Sequence, residues 1–141
     1  MSDKKYKILT EFVSDLSSET KDVETYIFVK DNISKYNLGI DIISKALKDK
    51  IIEIKTNFKF EDKADNPKKS YFEITYTTII KVDEEIKEKK DLERIILCEV
   101  PTQVYPDLEK SFLNLMHNSG HPSIKLEKKI DFNKLFNEKF N

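Results

Sequence analysis

Glycine occurs twice in 141 residues, cysteine once and tryptophan not at all. Gly39 and Gly120 stand far apart, so no glycine-rich loop is available to cradle phosphate, which argues against nucleotide binding. The lone Cys98 cannot form an internal disulfide and fits a reducing compartment. No apolar run approaches the roughly 18 residues of a membrane span. The opening "MSDKKYKILTEF" also lacks the apolar centre of a signal peptide. A cytoplasmic protein without direct membrane insertion is therefore expected. Charge of one sign is missing too: 25 Lys and Arg stand against 26 Asp and Glu, a net charge of -1. No whole-protein field draws in nucleic acid or anionic lipid, and partners must be found by local patches.

What is present is a polar chain with 38% apolar and 36% charged residues, enough for one domain over residues 1–141 with a modest core. So little apolar material cannot cover both faces of a sheet, and some faces must stay wet or pair with another subunit. "IEIKTNFKFE" alternates Ile52, Ile54, Thr56, Phe58 and Phe60 against polar residues, the pattern of a half-buried strand. "SYFEITYTTIIKV" does the same with Phe72, Ile74, Tyr76, Thr78, Ile80 and Val82. The polar stretch between them predicts a hairpin turn around Asn66-Pro67. Two earlier strands are read from Tyr6, Ile8 and Phe12, and from Tyr36, Leu38, Ile40 and Ile42.

After Val82 the period becomes helical, through Leu92, Ile95, Ile96 and Cys98, and Pro101 predicts a stop near Val100. Pro106 then suits the first position of a new helix whose apolar face is Leu108, Phe112, Leu115 and Met116. Gly120-His121-Pro122 ends it. A last helix is predicted with Asp131 as N-cap and Phe132, Leu135, Phe136 and Phe140 on one side. The expected fold class is α+β: a four-stranded antiparallel sheet with the C-terminal helices on one face.

The search for chemistry is short. His117 and His121 are four apart, but Gly120 and Pro122 interrupt the helix that would aim both at one metal. Cys98 sits on an apolar stripe with no neighbouring base, as a core thiol would. The mixed charges from Asp83 to Arg94 read as a solvated helix face. The strand faces carry acids as often as lysine, which disfavours phosphate and hence RNA. No catalytic residue, metal or cofactor is expected, although a small α+β enzyme and a single-stranded RNA binder stay as alternatives.

The order of short motifs resembles the SecB family of bacterial export chaperones. It runs Pro101, Tyr105-Pro106, an amphipathic helix, Gly120-His121-Pro122, Ile124 and Leu126, then Asp131-Phe132-Asn133-Lys134-Leu135-Phe136. "VSDLSSE" (Val13 to Glu19), "FVKDN" and "YFEITY" agree in the front half. Departures are His121 for the family's usual phenylalanine, Glu109 for an arginine, Asn32 for a tryptophan, and "TTIIKVDEE" for a glycine-rich segment. The sequence ends at Asn141, without the tail through which well-known members also contact the translocation ATPase SecA.

The resemblance implies an ATP-independent holdase that assembles as a homotetramer, a dimer of dimers, keeps precursor proteins unfolded and passes them to SecA. It implies client contacts at Tyr36, Leu38, Ile40, Tyr105, Leu126 and Phe136, each equally explicable as ordinary core. It implies SecA contacts at Asp15, Glu19 and Glu73, which plain solvated strand charges would also explain. A SecB-like chaperone dedicated to one client, such as the antitoxin of a toxin-antitoxin system, is the alternative within the class.

Overall fold

The computed structural model describes residues 5–126 and 130–140. The elements run β1 (Tyr6–Glu19), α1 (Val23–Asp31), a 3-10 turn (Ile33–Lys35), β2 (Asn37–Ala46), β3 (Ile51–Glu61) and β4 (Tyr71–Val82), then the helices α2 (Lys89–Arg94), α3 (Val100–Asn118) and α4 (Phe132–Phe140). The strands form one antiparallel sheet in the order β1-β4-β3-β2. The long hairpin β3–β4 thus occupies the centre, and β1 and β2 are the edges.

The centre follows the alternation in the sequence. Ile52, Ile54, Thr56, Phe58 and Phe60 on β3, and Phe72, Ile74, Tyr76, Thr78, Ile80 and Val82 on β4, are all buried. The register sets Phe58 opposite Ile74 and Phe60 opposite Phe72. Phe112 of α3 meets Phe58 and Phe60 edge-on, with ring centroids 6.0 and 5.7 Å apart, a favoured aromatic geometry. The expected turn is also present: Asp62 and Asn66 side chains accept from the backbone N–H groups of Ala64 and Lys68, the Asx pattern of turn residues.

The helical layer departs from expectation. No break falls at Val100–Pro101 and no new helix begins at Pro106. A π turn, Ile95–Glu99, joins α2 to α3, and Ile95, Glu99 and Val100 all keep helical backbone angles, so one rod runs from Lys89 to Asn118. Proline lacks an N–H and presses on the carbonyl four residues before it, and the wider π turn upstream of Pro101 relieves that clash. The Thr102 hydroxyl donates to the Cys98 carbonyl at 2.7 Å. Pro106 lies inside the helix, a defect of about 3 kcal/mol. Burial of Val104, Tyr105, Leu108 and Phe112 on the same face, each worth about 1.5–3 kcal/mol, outweighs it.

The foot of the rod ends as the sequence indicates. Gly120 N–H donates to the His117 carbonyl and His121 N–H to that of Met116, the Schellman arrangement. Gly120 has φ +92, and a Cβ there would lie 2.5 Å from a ring carbon of Tyr26. No other residue fits without displacing that ring.

Two features of the N-terminal half were not read from the sequence. Helix α1 is capped by Asp22, whose side chain accepts from the Thr25 N–H at 2.7 Å. It buries Thr25 and Val29 on one side but carries Val23 and Ile27 on the other, which erases the polar contrast that betrays a helix. In β1 the register slips at Leu9 and at Ser14. Each bulge moves the following residues to the opposite face. Tyr6 and Ile8 therefore face the helices, whereas Phe12, expected beside them, pairs with Thr77 on the other face and is 48% exposed.

The β2–β3 turn closes with Ile51 N–H donating to the Lys48 carbonyl, and both central residues, Asp49 (φ 57) and Lys50 (φ 66), are left-handed. That turn type favours Asn-Gly, and non-glycine residues there cost on the order of 1 kcal/mol each. Replacing Asp49-Lys50 by Asn-Gly is expected to stabilise the chain by about 1 kcal/mol, since glycine relieves the strain at Lys50. Urea denaturation checks this; an unchanged midpoint would show that the turn carries no such strain.

Candidate functional site

Because β2 is an edge strand, Leu38, Ile40 and Ile42 on its helix-facing side are only half-buried. Opposite them stand Leu97 of the π turn and Phe132, Leu135 and Phe136 of α4. Together Ile40, Asp41, Ile42, Leu97, Phe132, Leu135 and Phe136 surround an open groove of about 250 Å³. On the outer side of the same strand, a second hollow of about 240 Å³ is lined by Leu38, Gly39, Ile40 and the polar ends of Asn57, Lys59 and Glu61. Between the two runs the free edge of β2, where alternate backbone N–H and C=O groups lack a sheet partner.

The groove wall is held by α4. Asp131 caps it, accepting from the Lys134 N–H at 3.0 Å. Arg94 donates to Asn133 Oδ1 at 3.0 Å and lies over the Phe136 ring. Phe132 packs on Tyr105, centroids 6.1 Å apart. The π turn buries Ile95, Ile96 and Cys98 while leaving Leu97 half-buried at the groove. Burial pushes the Cys98 thiol pKa up, so it is a core residue with little thiolate.

Of the six residues expected at a client surface, Ile40 and Phe136 line the groove and Leu38 lines the outer hollow. Tyr36 and Tyr105 are buried in the core instead, Tyr105 behind the groove's Phe132 and Tyr36 toward the start of β4. The Tyr36 hydroxyl accepts from the Ser70 N–H at 3.0 Å, and its ring packs on Phe60 and Phe72. Tyr105 lies against Phe58 and Phe132, and burial first, then the Glu109 carboxylate, push its pKa up to about 12. Leu126 is half-buried against the core. Sequence reasoning did not assign Leu97 to the groove, because only the wide π turn brings it there. Phe132 and Leu135 were visible as an apolar helix stripe but not as a wall. The Phe140 side chain, expected on that stripe, lies outside the described residues.

Among the described residues no helix covers the other face of the sheet. Asp15 pairs with Thr75, Ser17 with Glu73 and Glu19 with Tyr71. Asp15, Glu73 and Glu19 therefore all project from this open face, with Glu73 diagonal to both others. Its carboxylate accepts from the Tyr71 hydroxyl and, at 2.7 Å, from Asn57. The Tyr71 bond, then Asn57, hold the Glu73 pKa below the ordinary range, and the Tyr71 pKa rises to about 12 in return.

Two apolar surfaces remain that the sequence did not disclose. Leu9, Phe12, Val13 and Leu16 on β1 are 39–53% exposed, and Val13 and Leu16 border a hollow of about 430 Å³ against Ser111, Leu115 and Ser119 of the rod's foot. Val23 and Ile27, one turn apart on α1, are 72% and 54% exposed. By register Phe12 faces the open side of the sheet and Val13 and Leu16 the helix side, so β1 is apolar on both faces, and exposed apolar surface of this kind marks contact surfaces. Among the described residues no group of three candidate metal ligands occurs: His117 is exposed, while His121 turns inward past Gly120. No described helix is long and apolar enough to cross a membrane.

Comparison with known proteins agrees over nearly the whole chain. The family model described as preprotein translocase subunit SecB matches residues 1–141. A chain of Pelagibacter ubique bearing the name protein-export protein SecB is 57% identical over 136 residues, 96% of this chain and 97% of that one. The protein-export protein SecB of Parvibaculum lavamentivorans is 23% identical over 133 residues, 94% of this chain and 77% of that one. Among solved structures, a SecB-like chaperone of Mycobacterium tuberculosis, in complex with a peptide from an antitoxin, has the same fold with a TM-score of 0.64. Its identity is 9%, and the match covers 89% of this chain and 91% of that one.

Removing the Tyr71 hydroxyl by Tyr71→Phe is expected to raise the Glu73 carboxyl midpoint toward its ordinary value, read by NMR titration. A carboxylate with a depressed folded-state pKa contributes stability above its unfolded pKa and loses it as pH falls through the folded one. The variant should therefore lose less stability than wild type as pH falls below about 4.3, the ordinary glutamate value. An unmoved midpoint would sever the link between the two groups.

Proposed function

The chain belongs to the SecB family over its full length, and on that premise we propose that the β2 groove and its free strand edge act together as an ATP-independent holdase for unfolded precursors. A chaperone role in protein export follows from the family. The observation that carries the proposal is the pairing of an apolar groove with exposed backbone along one strand. An unfolded client offers alternating apolar side chains and unpaired peptide groups. The groove takes the former by burial at about 25 cal/mol per Å², and the edge of β2 takes the latter by strand addition. Leu38, Ile40 and Phe136 are assigned to client contact, with Tyr36, Tyr105 and Leu126 supporting the wall. No step of this work is enzymatic, and no cofactor is assigned.

Assembly as a dimer of dimers accounts for both uncovered surfaces, one two-fold interface on the β1 patch and a second on the outer face of α1. Four grooves on one particle would each bind weakly, so that strength comes from multiplicity while release stays fast. The acids Asp15, Glu19 and Glu73 on the open face are assigned to SecA. Their attraction steers encounter and is screened as salt rises. The protein is placed in the cytoplasm, as one SecB-like chaperone unit over residues 1–141.

Three measurements test these assignments. Purified protein without nucleotide should suppress aggregation of an unfolded precursor. Leu38, Ile40 and Leu135 changed together to Ser should lose most of that protection while the far-UV spectrum is kept; protection that needs ATP, or a triple variant as active as wild type, refutes the holdase groove. Light scattering should give about 66 kDa, a tetramer of the 16.6 kDa chain, reduced to a dimer by Val23→Asp with Ile27→Asp; a wild-type monomer at micromolar concentration removes the assembly. Asp15→Lys with Glu73→Lys should abolish most of the affinity for the host's SecA, and undiminished binding would overturn the acidic-face assignment.

A further inference from the structure

His121 stands where the resemblance expects a phenylalanine, and its surroundings suit the phenylalanine better. The ring is 4% exposed and its Nε2 has no hydrogen-bond partner. It lies between Tyr26 of α1, centroids 5.4 Å apart, and Phe72 of β4, 5.6 Å away and nearly perpendicular. Its own backbone N–H closes the foot of α3 onto Met116. The preceding carbonyl, of Gly120, accepts from the Tyr26 hydroxyl at 2.7 Å. One aromatic pair and one hydrogen bond thus join α1 to the end of the rod at this point.

We propose that His121 is a proton-operated latch: neutral, it holds α1 against the foot of α3, and protonated, it lets α1 undock while the sheet and rod stay folded. The proposal goes beyond the holdase reading and does not depend on it.

The groups packed on the ring offer its Nε2 no acceptor. Phe72 from β4 is apolar, and Met116 and Gly120 from the rod's end are uncharged. From α1 the titratable groups are the Tyr26 hydroxyl, which donates to Gly120, and Lys30, whose positive charge repels an imidazolium. Burial, then Lys30, lower the His121 pKa. A charge there is accommodated by opening, and the element that opens at least cost is α1. It is nine residues long and buries only Thr25 and Val29, too short a helix to persist without its packing. The sheet and the rod share the aromatic core and do not depend on this contact.

The sign follows from linkage. A histidine whose folded pKa lies below its unfolded value weakens the closed state as pH falls below about 6.5. With the open-state ring titrating near 6.5, the opening equilibrium of α1 should rise from pH 7.5 to 5.5, by up to about tenfold. Hydrogen exchange of the full-length protein, corrected for the intrinsic pH dependence of amide exchange, reads this on residues 23–31. Amides of Leu108–Met116 in the same sample serve as the control. The expected result is a several-fold rise confined to α1, absent in His121→Phe, together with a His121 ring midpoint below 6.5 by NMR. The same rise retained in His121→Phe, no change in wild type, an equal change in α3, or a ring midpoint at or above 6.5 would each overturn the latch. Tyr26→Phe keeps the histidine and removes the hydroxyl. It should open α1 more at both pH values with the wild-type ratio between them intact, and loss of that ratio counts against the proposal even if His121→Phe fails to fold.

Discussion

A single helical rod laid against a four-stranded sheet is too narrow for it, and most of the structure follows from that mismatch. Strands lie about 4.8 Å apart, so four of them span about 14 Å between outer axes, while a helix with its side chains is about 10 Å across. The rod settles over the middle pair, where Phe112 closes on Phe58 and Phe60. The helix-facing positions of β3 and β4 are all buried. The edges receive partial cover: α4 reaches β2 and leaves a groove, the foot of α3 reaches β1 and leaves a hollow. Apolar surface stays open where a chain of this composition lacks material to close it, which is where a chaperone needs it.

The two central strands were legible because their alternation is uninterrupted and each has the same neighbour throughout. β1 was legible as a strand and illegible as a face. Its bulges at Leu9 and Ser14 leave no mark in hydrophobicity, and a slip of one residue sends Phe12 outward. The prolines misled for a related reason. Pro101 and Pro106 forbid hydrogen bonds that an ideal helix requires, but a π turn and a well-buried face tolerate their loss. Helix α1 escaped because both its sides are apolar, one against the core and one in solvent.

The candidate site was legible in kind more than in membership. The motif order led to the family, and the acids Asp15, Glu19 and Glu73 share one face because strand periodicity puts them there. The groove was harder. Tyr36 and Tyr105 are large aromatics at motif positions, yet both are buried core, and the groove is formed by Leu97, Phe132 and Leu135 instead. Which of several apolar residues faces outward depends on how far an edge strand is overhung, a quantity that belongs to the assembled layers.

The strand order also has a consequence in time. Tyr6 pairs with Val82 and Glu19 with Tyr71, so the first strand to leave the ribosome must wait for the last. Synthesis proceeds at about 5–20 residues per second, so β1 stays without its partner for roughly 3 to 15 seconds. Throughout that interval Leu9, Phe12, Val13 and Leu16 travel on an unpaired strand, the kind of segment this family binds in other proteins. For those seconds the nascent chain itself presents the kind of unpaired apolar strand that a chaperone covers.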